Sequence, residues 1–159
     1  MKKILTIILM AAMCLSFAAC GGENSGNVET GGLDYTVVRT TETPMEDGSV
    51  IVHGYNKDDI HVNDIVKSPD GSVIEHKMDK DGNKISETYT APDGSVIEHK
   101  MDRDGNRISE IYTAADGSVY QHNYDKDGIK ISESSTLADG SYHEFKYDKD
   151  GNIIEEIHE

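Results

Sequence analysis

The sequence predicts an all-β protein, an antiparallel meander of about ten strands built from 23-residue β-hairpin repeats. The pair Asp70-Gly71 returns every 23 residues, as Asp93-Gly94, Asp116-Gly117 and Asp139-Gly140. A second pair keeps the same period, as Asp81-Gly82, Asp104-Gly105, Asp127-Gly128 and Asp150-Gly151. The runs between the pairs are rich in β-branched and aromatic residues, as strands are. The glycines are therefore the predicted turn positions, and a degenerate copy from Asp47 makes five repeats over residues 47–159.

The N-terminus has the features of a bacterial export signal in residues 1–19. Lys2 and Lys3 precede an apolar stretch over residues 4–17, which is shorter than the roughly 20 residues of a transmembrane helix. Small residues ending directly in Cys20 resemble the lipobox of bacterial lipoproteins. The resemblance implies that Cys20 is diacylated and becomes the mature N-terminus, which anchors the protein to a membrane of the cell envelope.

Two short segments connect this leader to the repeats. Residues 20–32 are rich in Gly, Ser, Asn and Glu, which indicates a flexible acidic tether. Residues 33–46 contain a β-branched run that ends at Pro44, and they are predicted to form a strand that caps the array. Both cysteines of the chain, Cys14 and Cys20, fall in the leader or at its end, so the repeat domain has no disulfide.

The charge of the chain limits its partners. A formal net charge of −15 disfavours binding to nucleic acid and to anionic lipid surfaces. An extended repeat surface suits a protein or glycan partner instead. If one face of the sheet is apolar, that face must be covered by curling, by the capping segment, by a partner or by a second copy of the chain.

The odd period makes a prediction about the loops. Paired residues of a hairpin share a face of the sheet. Because the repeat shift of 23 residues is odd, one face stays inward only if one of two successive loops has an even number of residues and the other an odd number. A two-residue Asp-Gly loop alternating with a three-residue Pro-Asp-Gly loop meets this condition. The resulting register shows almost no accumulating stagger, which favours an open, twisted or curling sheet over a closed one.

This register places three rows of side chains on one face. The hairpin-end row consists of Tyr55, Val62, Met78, Ile85, Met101, Ile108, Tyr124, Ile131, Tyr147 and Ile154. The central row consists of His53, Asp64, His76, Glu87, His99, Glu110, His122, Glu133, Phe145 and Glu156. The tyrosine row consists of Ile51, Val66, Ile74, Tyr89, Ile97, Tyr112, Tyr120, Ser135, His143 and His158. On the opposite face Asp79 is expected to pair with Lys84, and this pairing recurs in the later repeats.

The later copies contain Tyr124-Asp125-Lys126-Asp127-Gly128 and Tyr147-Asp148-Lys149-Asp150-Gly151. These resemble the YD repeat of Rhs-type proteins, and the resemblance extends over residues 47–159. Met78 and Met101 stand where that motif has Tyr, and Asn56 stands where it has Asp. Rhs-type proteins curl such strands into a large shell that often carries a toxin. Five copies cannot enclose a cargo, so the resemblance implies only the strand architecture.

Two groups of side chains are candidates for binding a divalent cation. The central row brings together His76, Glu87, His99, Glu110 and His122, which supply the nitrogen and oxygen ligands of Zn²⁺. The alternative is plain His–carboxylate pairing that makes a polar row tolerable between two apolar ones. The acidic turns, such as Asp79 to Asn83, resemble the start of a Ca²⁺ loop, although Asp and Asn also favour such turns for backbone reasons.

No group of residues indicates catalysis. The sequence has no nucleophile elbow, no Cys–His pair outside the leader and no phosphate-binding loop, since its repeat glycines stand singly in turns. The sequence therefore predicts a non-enzymatic, envelope-anchored lipoprotein without a cofactor, which presents an acidic β-repeat surface for binding or structural interaction. The alternatives are a lipoprotein that binds Ca²⁺ or Zn²⁺ and an accessory of a polymorphic toxin system.

Overall fold

A computed structural model describes residues 34–159 of the chain. They form one open sheet of 11 antiparallel strands, in which the order in space is the order in sequence. The strands are β1 (Arg39–Pro44), β2 (Val50–Tyr55), β3 (His61–Lys67), β4 (Val73–Met78), β5 (Lys84–Thr90), β6 (Val96–Met101), β7 (Arg107–Thr113), β8 (Val119–Tyr124), β9 (Lys130–Thr136), β10 (Tyr142–Tyr147) and β11 (Ile153–His158). The all-β meander is confirmed, and within it each strand contacts only its neighbours in the chain.

The predicted signal peptide, Cys20 and the tether lie outside the described residues. The capping strand is present as β1, which begins later than the sequence suggested and pairs with β2 from Arg39↔Tyr55 to Pro44↔Val50. The residues before β1 pack near the same edge, since the carbonyl of Asp34 accepts a hydrogen bond from Asn56 Nδ2 at 2.9 Å. The segment therefore extends the sheet by one strand, and the residues before that strand lie against the first repeat, where Val37 Cγ2 is 3.1 Å from the position of a Cβ added to Gly54. Nowhere in residues 34–159 is there a helix long and apolar enough to cross a membrane.

The turn glycines adopt the backbone conformation that the sequence requires of them. All eight of the predicted turn glycines have φ between +78° and +91°. In the loop before β6, Gly94 N donates to Ala91 O at 3.0 Å and Ala91 N donates to Ser95 O at 2.9 Å. This is the expected three-residue Pro-Asp-Gly loop, a tight turn that ends in a left-handed Gly.

The prediction of a two-residue Asp-Gly loop at the other end of the strands is wrong. Gly82 N donates to Asp79 O at 3.1 Å and Asp79 N donates to Asn83 O at 2.8 Å, so this loop also has three residues, Lys80 to Gly82. A two-residue type I′ turn needs φ > 0 at both central positions. Asp81 does not provide it, because Asp59 is the one non-glycine residue with positive φ in residues 34–159.

A β-bulge supplies the one-residue shift in register that the alternating loop lengths are predicted to supply. Between β4 and β5 the pairing passes from Lys77↔Ser86 to Met78↔Lys84, so β5 carries one extra residue beside the loop. The same irregularity recurs in every repeat, at Gly54/Tyr55, Lys100/Met101, Asn123/Tyr124 and Lys146/Tyr147. A three-residue loop followed by a bulge produces the same register beyond the bulge as a two-residue loop would.

The bulge decides which of the predicted pairs in the three rows are present in the structure. Pairs away from the bulge are as predicted, including His76↔Glu87 in the central row and Ile74↔Tyr89 in the tyrosine row. Pairs at the hairpin end are not, since Met78 lies opposite Lys84 and not opposite Ile85. The predicted pairing of Asp79 with Lys84 on the opposite face is also wrong. The bulge turns Lys84 toward the central row, where its Nζ lies 2.5 Å from Glu87 Oε2.

Burial is concentrated at the first repeat. In residues 34–159 the hydrophobic side chains that are buried belong to Val52 and Val62, which are 8% and 1% exposed. Their equivalents further along the sheet are more open, and Ile131 is 44% exposed. A single layer of strands has no second layer to cover it, so most of its stabilisation comes from strand pairing and from side-chain contacts within each face.

Candidate functional site

The central row forms a ladder of alternating imidazoles and carboxylates. His76 Nε2 lies 2.9 Å from Glu87 Oε2, and His99 Nδ1 lies 3.7 Å from the other oxygen of Glu87. The pattern repeats one unit later, where Glu110 lies 3.1 Å from His99 and 3.7 Å from His122. Each of these carboxylates therefore lies between two histidines on neighbouring strands, as the predicted register requires.

A basic side chain adds to each carboxylate of the ladder. Because of the bulge, Lys84, Arg107 and Lys130 reach Glu87, Glu110 and Glu133 on the same strand. The hydrogen bond from Lys84 is the largest cause that lowers the pKa of the Glu87 carboxyl. Lys130 has the same effect on the pKa of Glu133, and the Tyr147 hydroxyl, which donates to Glu133, adds to it. The carboxylates of repeats two to four are therefore already engaged by a cationic donor on their own strand.

The structure brings the five predicted metal ligands into one row but not around one point. The two histidines that share Glu87 approach different oxygens of it, from opposite sides. Within residues 34–159, one group of three potential ligands has its atoms close enough together to hold an ion, and it contains none of the five. For His76, Glu87, His99, Glu110 and His122 the geometry favours the pairing interpretation.

The group that does converge is His53, His61 and Asp64, at the start of the array. His53 Nδ1 lies 2.5 Å from Asp64 Oδ1, and His61 Nε2 lies 2.8 Å from the same oxygen. His53 and Asp64 are direct partners across β2 and β3, while His61 reaches the same face because of the bulge. The predicted register has His53 and Asp64 in the central row and does not include His61. The feature of the sequence that indicates a role for His61 is its repeat position, which is that of Lys84, Arg107 and Lys130.

The acidic turns use their carboxylates for the turn itself. Asp79 Oδ1 accepts hydrogen bonds from the backbone N–H groups of Asp81 and Asn83, each at 2.9 Å, and Asp79 Oδ2 accepts one from Asn83 Nδ2 at 3.1 Å. The Asn83 side-chain hydrogen bond is the largest cause that lowers the pKa of Asp79. Asp102 and Asp148 make equivalent contacts. These bonds explain the Asp-x-Asp-Gly-Asn motif by turn geometry, without a Ca²⁺ ion.

The tyrosine row produces an open groove next to the ladder. Tyr112 and Tyr120, 38% and 40% exposed, stack with their ring centroids 6.1 Å apart and their planes at 23°. The groove has a volume of about 550 Å³ and is lined by Ile97, His99, Glu110, Tyr112, Tyr120 and His122. It combines a mostly apolar floor with a few hydrogen-bonding groups, which is the usual make-up of a recognition surface.

Comparisons with known proteins leave the family of this chain open. No protein-family model matches the sequence, and no curated protein matches it. A structure of S. aureus TarM with fondaparinux, alpha-GlcNAc-glycerol and UDP aligns at a TM-score of 0.37 and 16% identity, covering 74% of this chain and 21% of TarM. The TCP10 domain of Danio rerio CPAP with a STIL peptide aligns at a TM-score of 0.30 and 21% identity, covering 72% of this chain and 67% of that domain. With scores this low, neither fold nor function is inferred from them.

Proposed function

We propose that this protein is an envelope-anchored bacterial lipoprotein whose acidic β-repeat sheet binds a protein or glycan partner without catalysis. The observation that carries the proposal is the exposed groove on the stacked pair Tyr112 and Tyr120. Exposed tyrosines on a surface of rigid strands offer large contact areas at little cost in conformational entropy. The second candidate is a lipoprotein that binds a divalent cation. The toxin-accessory alternative comes third, because the resemblance to YD repeats is its only support.

The charges around the groove favour a protein over a glycan as the partner. Glu110 is paired with Arg107 and with two histidines, so the groove floor is close to neutral although the whole chain carries −15. Many of the remaining carboxylates lie in the loops at the two ends of the strands, as do Asp93 at one end and Asp102 at the other. An apolar centre with a charged rim is the ordinary anatomy of a protein–protein interface. A segment with an apolar or aromatic anchor and basic flanks fits this arrangement.

The proposed attachment to a membrane of the cell envelope depends on Cys20, which lies outside the described residues. We expect the mature protein to begin at Cys20 and to carry a diacylglyceryl group on its thiol. The Cys20→Ala variant should remain unprocessed or be released from the membrane fraction. Mass spectrometry of the N-terminal peptide measures both outcomes, and an unmodified peptide that begins at another residue would refute the anchor.

The groove is tested by replacing Tyr112 and Tyr120 by Ala in one variant. Truncating a residue at the centre of an interface costs more than about 1 kcal/mol, so we expect roughly tenfold weaker binding or more for the pair. Partners are captured from envelope extract by the purified parent protein, and the affinity of each captured partner is then titrated against both proteins. The matched control is Ile153→Ala, which removes an exposed side chain far from the groove. Equal affinities for the parent and the double variant would exclude the groove.

A further inference from the structure

We propose that His53, His61 and Asp64 form a Zn²⁺ site at the first repeat. The three residues offer two imidazole nitrogens and a carboxylate oxygen on one face of β2 and β3. Two histidines and one carboxylate are an established ligand set for Zn²⁺, which leaves a fourth position for water or another ligand. The site is independent of the groove and of the membrane anchor.

The distances require only a small rearrangement when the ion enters. The three ligand atoms lie within 4.8 Å of one another. Atoms bound at about 2.0–2.1 Å to a tetrahedral ion are separated by about 3.3 Å. The two contacts to Asp64 Oδ1, at 2.5 Å and 2.8 Å, must therefore lengthen by less than an ångström while the imidazoles turn toward the ion. Rotation of half-exposed side chains achieves this without moving the backbone.

The other repeats show what is special about the first. At the position of His61 the second to fourth repeats carry Lys84, Arg107 and Lys130, and at the position of Asp64 they carry Glu87, Glu110 and Glu133. The fifth repeat has Ile153 and Glu156 at these positions. Lys and Arg are obligate donors that hold the carboxylate in an ion pair and offer no lone pair to a metal. An imidazole is a ligand when it is neutral. The replacement of Lys or Arg by His61 thus converts an ion-paired carboxylate into a three-ligand cluster.

The surroundings hold the ligands in place. Thr43 Oγ1 on β1 lies 3.3 Å from His53 Nε2, so that the other ring nitrogen, Nδ1, faces Asp64. The ring of Tyr55 packs on His61 with centroids 5.3 Å apart. Beside His61, Val62 is the most completely buried hydrophobic side chain of the described residues. Groups that orient a ligand in this way raise metal affinity by roughly 10- to 100-fold.

The ligand chemistry selects the ion. Ca²⁺ takes six to eight oxygen ligands, so two imidazoles and one carboxylate suit it poorly. Imidazole suits Zn²⁺ and its neighbours among the first-row divalent ions. We therefore expect binding of one Zn²⁺ per chain and no measurable response to Ca²⁺ at the same concentrations.

The test is a calorimetric titration of Zn²⁺ into the full chain, with Cys14 and Cys20 replaced by Ser and without a polyhistidine tag. We expect one equivalent to bind and the melting temperature to rise. His61→Lys copies the arrangement of the second and fourth repeats, so the sheet should keep its fold while its Zn²⁺ affinity falls by more than the roughly 100-fold of an outer-shell change. Failure of the parent to bind, or one full equivalent still bound by His61→Lys, would overturn the proposal.

A gain-of-site variant provides a second, independent readout. Lys84→His and Glu87→Asp together reproduce the first repeat beside His76, one period along the sheet. We expect the stoichiometry to rise from one to two Zn²⁺ per chain. A stoichiometry that stays at one would show that the arrangement of His and Asp is not sufficient and would count against the geometry proposed here. His61→Lys changes neither a residue that lines the groove at Tyr112 and Tyr120 nor a direct contact of one, so loss of metal binding and loss of partner binding are separable.

Discussion

Val62→Asp is expected to lower the free energy of unfolding by about 3 to 5 kcal/mol. Val62 is 1% exposed, so the substitution loses the full burial of an aliphatic side chain and places a carboxylate where water does not reach. A loss of this size approaches the whole stability of an ordinary domain. Urea denaturation followed by circular dichroism measures it, and the N-terminal hairpin should unfold first.

The matched control is Ile131→Asp, at the same position of the repeat three units later. Ile131 is 44% exposed, so its carboxylate stays hydrated and we expect a cost of about 1 kcal/mol. The comparison holds the repeat position and the introduced residue constant, while the burial of the replaced aliphatic side chain differs. Similar losses from the two variants would mean that the array is equally well packed along its length, which contradicts the exposure of its later repeats.

Gly94→Val is expected to cost about 2 kcal/mol through the backbone alone. The φ angle of Gly94 is +88°, a region that β-branched residues avoid, and the cost of such strain is about 1–3 kcal/mol. A Cβ added at Gly94 would meet no atom within 4 Å, so crowding does not contribute. The expected result is a lower urea midpoint with an unchanged denaturant slope.

Lys100→Val is the control for this substitution. Lys100 lies in β6 with its Nζ 3.7 Å from Glu98 Oε1, and both side chains are exposed. An exposed ion pair of this kind contributes little, so we expect a change within about 0.5 kcal/mol. A Gly94→Val variant no less stable than Lys100→Val would show that the loop tolerates another turn geometry.

The pairing of the central row could be predicted from the sequence because it depends on period and alternation. His99 lies between Glu87 and Glu110 whether the change of parity comes from a loop or from a bulge. The positions of the turns were equally predictable, since an Asp-Gly pair between strand-like runs indicates a turn.

The bulge was not predictable from the same information. A two-residue loop and a three-residue loop with a bulge give identical pairs beyond the first few residues, and they differ only at the hairpin end. The faces of Lys84 and His61 depend on this choice, and for that reason the convergence of His61 on Asp64 was missed. The burial of individual side chains could not be predicted from the repeat either, because Val62 and Ile131 occupy the same place in the repeat while their exposures differ.

Contacts restricted to neighbouring strands have a consequence for how such a chain changes length in evolution. Gain or loss of one 23-residue unit moves every later strand by two places and leaves its inward and outward faces unchanged, because the bulge restores the parity in each unit. Gene duplication within the array therefore costs no rearrangement elsewhere. Loss of one residue from the regular part of a strand would instead turn the residues on one side of the loss to the opposite face of the sheet. Natural variants of this architecture should differ in length by whole units.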